Sequence, residues 1–104
     1  MSGCRLCFSE VDWETASPGI RVKVFKRDGK SIRLLELSKG LDHPDWCVVG
    51  HTGYVVEGVI EIIFEDRSEN FSSGDGILIR PGVNEKHIPK PISEKAVLFL
   101  IDEY

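Results

Sequence analysis

Several absences narrow the reading of this 104-residue chain before any motif is considered. No apolar run approaches the ~18 residues that a membrane helix needs, so no transmembrane span is expected. The N-terminus lacks the apolar stretch of a secretory signal. Cysteine is scarce and odd in number: Cys4, Cys7 and Cys47 do not make a disulfide framework. A cytoplasmic, reducing location is the expectation. Positive charge is also short, with 13 Lys and Arg against 17 Asp and Glu and a net charge of -4. That balance removes the basic footprint that nucleic acid or an anionic membrane surface requires. No helical period, internal repeat or low-complexity block is present.

What is present is two-residue alternation. With 41% apolar and 29% charged residues, the composition suits one soluble domain spanning 1–104, with 1–20 as an N-terminal extension or interface segment. A core of this size is shallow, so a homodimer is expected, with the apolar run AVLFLI at 96–101 as a candidate contact. RVKVFKR at 21–27 alternates, reaches the turn pair Asp28-Gly29, and is followed by SIRLLELS at 31–38 as its hairpin partner. Short strands are expected at 46–49, 54–56, 59–66 and 77–79, and a last one at 95–103. The stretch 67–76 reads as a connection. VNEKHIPKP reads as irregular, because Pro89 and Pro91 disfavour central pairing. Seven or eight short strands with glycine-rich turns make an all-β double-sheet sandwich or barrel.

Two segments carry a resemblance. In WCVVGHTGYVVEG, Gly58 closes the stretch, and His51 lies seven residues before it. GDGILIRPGVNEKH runs from Gly74 to His87, with Gly82 and His87 late in the stretch. Together they resemble the two motifs of a small single-domain cupin, which implies a double-stranded β-helix, or jelly-roll barrel. The family's first motif places H-x-H, a ligand glutamate and then a glycine. Aligned on Gly58, it sets His51 at the glutamate position and Asp45 and Cys47 near the two histidines. A rival alignment makes His51 the first histidine, Gly53 the second and Glu57 the glutamate. In the second motif Arg80 stands at the usual proline, and four residues separate Gly82 from His87.

Strand parity supplies a reading that does not depend on the family. His51, Gly53, Val55 and Glu57 share one face, and Tyr54 lies on the other. An imidazole on an apolar inner face needs partners for its nitrogens. Gly53 either leaves open space or admits a neighbouring backbone. His51, His87 and Cys47 are candidate metal ligands, with Asp45 a possible fourth ligand or polar group of the pocket. Imidazole and thiolate donors favour zinc, while the resemblance implies iron, manganese or nickel.

Arg80, Glu85 and Tyr54 are candidates for the pocket rim. His43, beside Pro44, reads as a surface loop residue. Cys4 and Cys7 form a solitary C-x-x-C on an expected terminal strand and read as small packed side chains. A Cys47–His51 nucleophile pair is also open, although no third orienting group is visible. The functional expectation is a small metal-binding cupin that acts on or binds a small oxygenated organic molecule. The alternatives are a metal-free binding or sensing module and a structural homodimeric barrel. Whether any reaction is catalysed stays open.

Overall fold

Nine strands carry the alternating pattern in the computed structural model, which describes residues 3–41 and 45–104. They are β1 (Glu14–Ser17), β2 (Ile20–Arg27), β3 (Lys30–Ser38), β4 (Gly50–Glu57), β5 (Val59–Phe64), β6 (Ser68–Ser72), β7 (Gly76–Ile79), β8 (His87–Pro91) and β9 (Lys95–Glu103). All ladders are antiparallel. One sheet has the order β1-β2-β3-β9-β4-β7, and a three-stranded sheet has the order β6-β5-β8. This is the expected all-β, jelly-roll-like arrangement of two sheets. Among the described residues, no helix is long and apolar enough to cross a membrane.

The hairpin expected at Asp28-Gly29 forms with Arg27 opposite Lys30. Both turn residues have positive φ, 52° and 76°, as a two-residue turn matched to strand twist requires. The inner faces of the two sheets enclose one apolar cluster. β3 gives Leu35 and Leu37, β4 gives Val55, β5 gives Ile60 and Ile62, and β9 gives Ala96, Leu98 and Leu100. Each fully buried Leu, Ile or Val of this cluster contributes about 1.5–3 kcal/mol of transfer free energy.

β9 is a central strand, paired with β3 on one side and β4 on the other. Its outer face is covered within the chain: the Phe8 ring stands edge-on to Phe25 and to Phe99, at 5.1 and 6.3 Å between centroids. Burial from both faces explains the unbroken apolar run at 96–101. Trp13 in the same N-terminal segment lies against Arg21 and Lys23.

Four expectations need correction. Residues 46–49 are not a strand; only Cys47 pairs, through an isolated bridge to His87. Residues 68–72 are a strand, β6, at the exposed edge of the small sheet, where polar side chains face solvent. VNEKHIPKP is not irregular throughout, because His87–Pro91 forms β8. β8 has β5 as its one ladder neighbour, and Pro89 and Pro91 share parity, so the absent N–H groups fall together on one side of an edge strand. Cys4 and Cys7 are not on a strand: Cys4 is exposed, and Cys7 precedes a short 3₁₀ turn, Phe8–Glu10. His43 lies outside the described residues.

Gly53 admits a neighbouring backbone. A Cβ there would collide with the Phe99 carbonyl on β9. Gly53→Ala should lower stability by about 1–3 kcal/mol, the usual cost of overpacking. Urea unfolding with an unchanged slope would measure it. A loss within about 0.5 kcal/mol, the range of an ordinary surface substitution, would contradict this reading of the contact.

Candidate metal centre

Two backbone hydrogen bonds build the site. Cys47 N–H donates to the His87 carbonyl at 2.9 Å, and His87 N–H donates to the Cys47 carbonyl at 3.0 Å. The segment that leads into β4 is thereby joined to the first residue of β8 in the other sheet. Residues paired in this way carry neighbouring side chains. His51, the second residue of β4, then brings its ring to the His87 ring, at 5.0 Å between centroids. One donor atom each from Cys47, His51 and His87 lies within 4.8 Å of the other two. Both histidines are buried, at 8% and 3% exposure, and Cys47 is partly buried.

The ring nitrogens are oriented from behind. His51 Nδ1–H donates to Asp102 Oδ1 at 2.9 Å. Arg33 holds the same carboxylate: Nη2 donates to Oδ1 at 3.1 Å, and Nε stands 2.7 Å from Oδ2. That second approach is a charge contact, since the Nε–H direction makes no hydrogen bond. His87 Nδ1–H donates to the Glu85 carbonyl at 2.9 Å, because a carbonyl can only accept. Both Nε2 atoms are therefore left to face the cluster, that of His51 in a hydrogen bond with the Cys47 thiol. His51 Nε2 lies 3.9 Å from Cys47 Sγ, and His87 Nε2 is buried with no hydrogen-bond partner.

The electrostatics follow from these contacts. The His51 ring, and after it the His87 ring, hold the Cys47 thiol down at about 5, against the upward push of burial. Burial pushes the His51 value down, but the hydrogen bonds to Asp102 and Cys47 outweigh it and raise the imidazole above its ordinary value. Burial would lift Asp102; the His51 hydrogen bond and the Arg33 charge outweigh it and lower the carboxyl.

The donor set suits a metal ion. Ligands bound at roughly 2.0–2.3 Å in a tetrahedron stand roughly 3.3–3.8 Å from one another. Three donors within 4.8 Å reach that spacing by small side-chain rotations. Two imidazoles and a thiolate are the ligand types that zinc accepts, with carboxylate and carbonyl groups holding the far nitrogens, as is usual around metal-bound histidine.

Beside the cluster lies a cavity of about 180 Å³. Asp45 lines it, exposed to solvent. Tyr54 does not line it; it lies on the outer face of β4, 47% exposed, against Phe99. Arg80 and Glu85 do not line it either. Glu85 Oε1 accepts the Arg80 backbone N–H at 2.7 Å, and the Glu85 contribution to the site is its carbonyl under His87. Asp102 and Arg33 were not expected. Asp102 supplies the orienting group that the sequence did not reveal. Both residues had a signal: Asp102 shares the inward parity of Ala96, Leu98 and Leu100, and Arg33 shares that of Leu35 and Leu37.

No protein-family model and no curated protein matches this sequence. Solved structures do resemble it. KdgF from a Halomonas species is 21% identical, with a TM-score of 0.76 over 99% of this chain and 96% of that one. The cupin domain of Cnp3 from Schizosaccharomyces pombe is 14% identical, with a TM-score of 0.75 over 93% and 71%. A cupin-2 domain protein from Shewanella frigidimarina is 18% identical, with a TM-score of 0.64 over 80% and 79%. The chain has the cupin fold.

Two outcomes test this geometry. Asp102→Asn should cost roughly 1.5–3 kcal/mol, the range for hydrogen bonds to charged groups. Since the folded carboxyl is lowered from 3.8, the wild-type advantage should be complete above that value and vanish as pH falls through the lower folded one. The His51 part should fade as pH rises above 6.5 through the raised folded value, leaving the Arg33 part. Denaturant unfolding from pH 3 to 9 would show this, and a pH-independent gap would contradict it. In metal-free protein, Cys47 alkylation by iodoacetamide, mapped by peptide mass, should have its midpoint at about 5. A midpoint at the ordinary thiol value of about 8.5 would contradict the assigned contacts.

Proposed function

We propose that this cupin-fold chain binds one divalent metal ion, zinc before iron, manganese or nickel, through Cys47 Sγ, His51 Nε2 and His87 Nε2, and offers the remaining coordination position to a small molecule. The observation that carries this reading is His87 Nε2. It is a buried nitrogen with no hydrogen-bond partner, in a cluster whose three donor atoms lie within 4.8 Å of one another. Burying such a group unpaired costs about 1–3 kcal/mol, and a metal ion relieves that cost. The bound ion would supply Lewis acidity to an oxygenated group of the ligand. Asp102 and Arg33 would fix the His51 tautomer, the Glu85 carbonyl would fix that of His87, and Cys47 would bring the negative charge that offsets the cation.

A second reading has one observation in its favour. Cys47 Sγ stands 3.9 Å from His51 Nε2, and His51 Nδ1 stands 2.9 Å from Asp102 Oδ1, the order of nucleophile, base and orienting carboxylate. It gives His87 only a supporting part, helping to hold the thiol down, and leaves its Nε2 without a hydrogen-bond partner; for that reason it ranks second. For location, the reading is the cytoplasm, on the scarce and odd cysteine count; for partners, it is a homodimer. Its support is the outer face of β4 and β7, where Tyr54, Val56 and Leu78 are exposed.

The test is metal content per chain, measured by elemental mass spectrometry on untagged protein purified without chelator. Near-stoichiometric metal is expected in the wild type, and none in a His51→Ala, His87→Ala double variant that still folds. A metal-free wild type that also refuses added zinc would overturn the metal reading and leave the thiol array as the account of the site.

A further inference from the structure

The cavity beside the cluster is polar at one end only. Strand register places the polar groups together. His51 on β4 pairs with Asp102 on β9, and Cys47 is bridged to His87. Farther along the same inward faces every group is apolar: Leu35 and Leu37 on β3, Ile62 on β5, Ile77 on β7, Leu98 and Leu100 on β9. Arg33 brings the one cationic side chain of the lining, but Asp102 occupies it from two sides. Asp45 brings a carboxylate at the exposed part of the wall.

A polyhydroxylated ligand would find no partners along this wall, and unpaired hydroxyls in an apolar site are costly. The volume sets the scale of what fits. A cavity of about 150 Å³ lined by Leu, Ile and Phe stays dry and accepts benzene. This one measures about 180 Å³, smaller than the pockets that hold drug-sized molecules.

We infer that the cavity takes a small ligand with an apolar body the size of one aromatic ring or a short branched chain, and a single head group directed at Cys47, His51 and His87. The placement of the head rests on the metal reading above; that of the body does not. The ligand class is accordingly a small aromatic or branched aliphatic thiol, phenol, alcohol or acid, and not a sugar.

The experiment is methyl NMR of Ile62, Ile77 and Leu98 during titration of the whole protein. Toluene represents the body alone, glucose a polyol, and phenylmethanethiol the body with a head. In metal-free protein, toluene should shift these methyls saturably and glucose should not. In zinc-loaded protein, phenylmethanethiol should bind at least tenfold tighter than toluene. Methyls unmoved by toluene at its solubility limit, or moved by glucose, would overturn the inference about the body. Equal affinity for toluene and phenylmethanethiol in the zinc-loaded protein would overturn the placement of the head. The two readings fail separately. Protein that refuses zinc yet binds toluene sinks the metal reading and supports the apolar body. Zinc-loaded protein whose methyls ignore both aromatic probes keeps the metal and loses the ligand class.

Discussion

The pair of backbone hydrogen bonds between Cys47 and His87 is the constraint on which the site depends. It joins the segment entering β4, in the large sheet, to the start of β8, in the small one. Without it the two sheets would still face each other across their apolar residues, since hydrophobic contact has no direction. They would have no fixed offset at this end. Hydrogen bonds are directional, and this pair sets the thiol and one imidazole side by side. The other imidazole is fixed independently, by the register of β4 against β9 that places His51 opposite Asp102. Two unrelated pairings thus meet at three donor atoms.

Their arrangement divides labour along each strand. At one end, side chains that need partners find them in each other: Arg33 with Asp102, Asp102 with His51, His51 with Cys47. Farther in, the same faces carry Leu, Ile, Val and Ala, with Gly53 between His51 and Val55 on β4. Charge is thereby confined to groups whose partners lie within reach, which is the condition under which burial of ionised side chains is tolerated. Two buried side-chain atoms among the described residues lack a hydrogen-bond partner: Arg33 Nε, which has the Asp102 charge 2.7 Å away, and His87 Nε2, which has no ion pair. Unlike Arg33 Nε, His87 Nε2 has no opposite charge beside it, and it lies within 4.8 Å of two other donor atoms, the arrangement on which the metal reading rests.

Much of the architecture was legible in the sequence, because alternation is local. The Asp28-Gly29 hairpin, the inward parity of His51 and the burial of the 96–101 run could each be read within ten residues. What failed depended on edges and on distant partners. β6 is polar because it lies at a sheet edge, and β8 tolerates two prolines for the same reason; neither carries the mark of a central strand. The meeting of His51 with His87 was expected from the resemblance to cupins, not from spacing, since it depends on how two sheets are joined. Asp102 and Arg33 were overlooked because charges beside apolar runs usually mark the solvated end of a strand. Their parity with inward residues was the available clue. Tyr54, Arg80 and Glu85 were proposed for the rim from proximity in sequence, and β4 parity turns Tyr54 outward.

The most direct test of the account is X-ray absorption at the metal edge of zinc-loaded protein. The account predicts one sulfur at about 2.3 Å and two imidazole nitrogens at about 2.0 Å, with a light atom completing four-coordination. A shell of oxygen ligands alone, or one lacking sulfur, would contradict it and place any bound ion away from Cys47, His51 and His87.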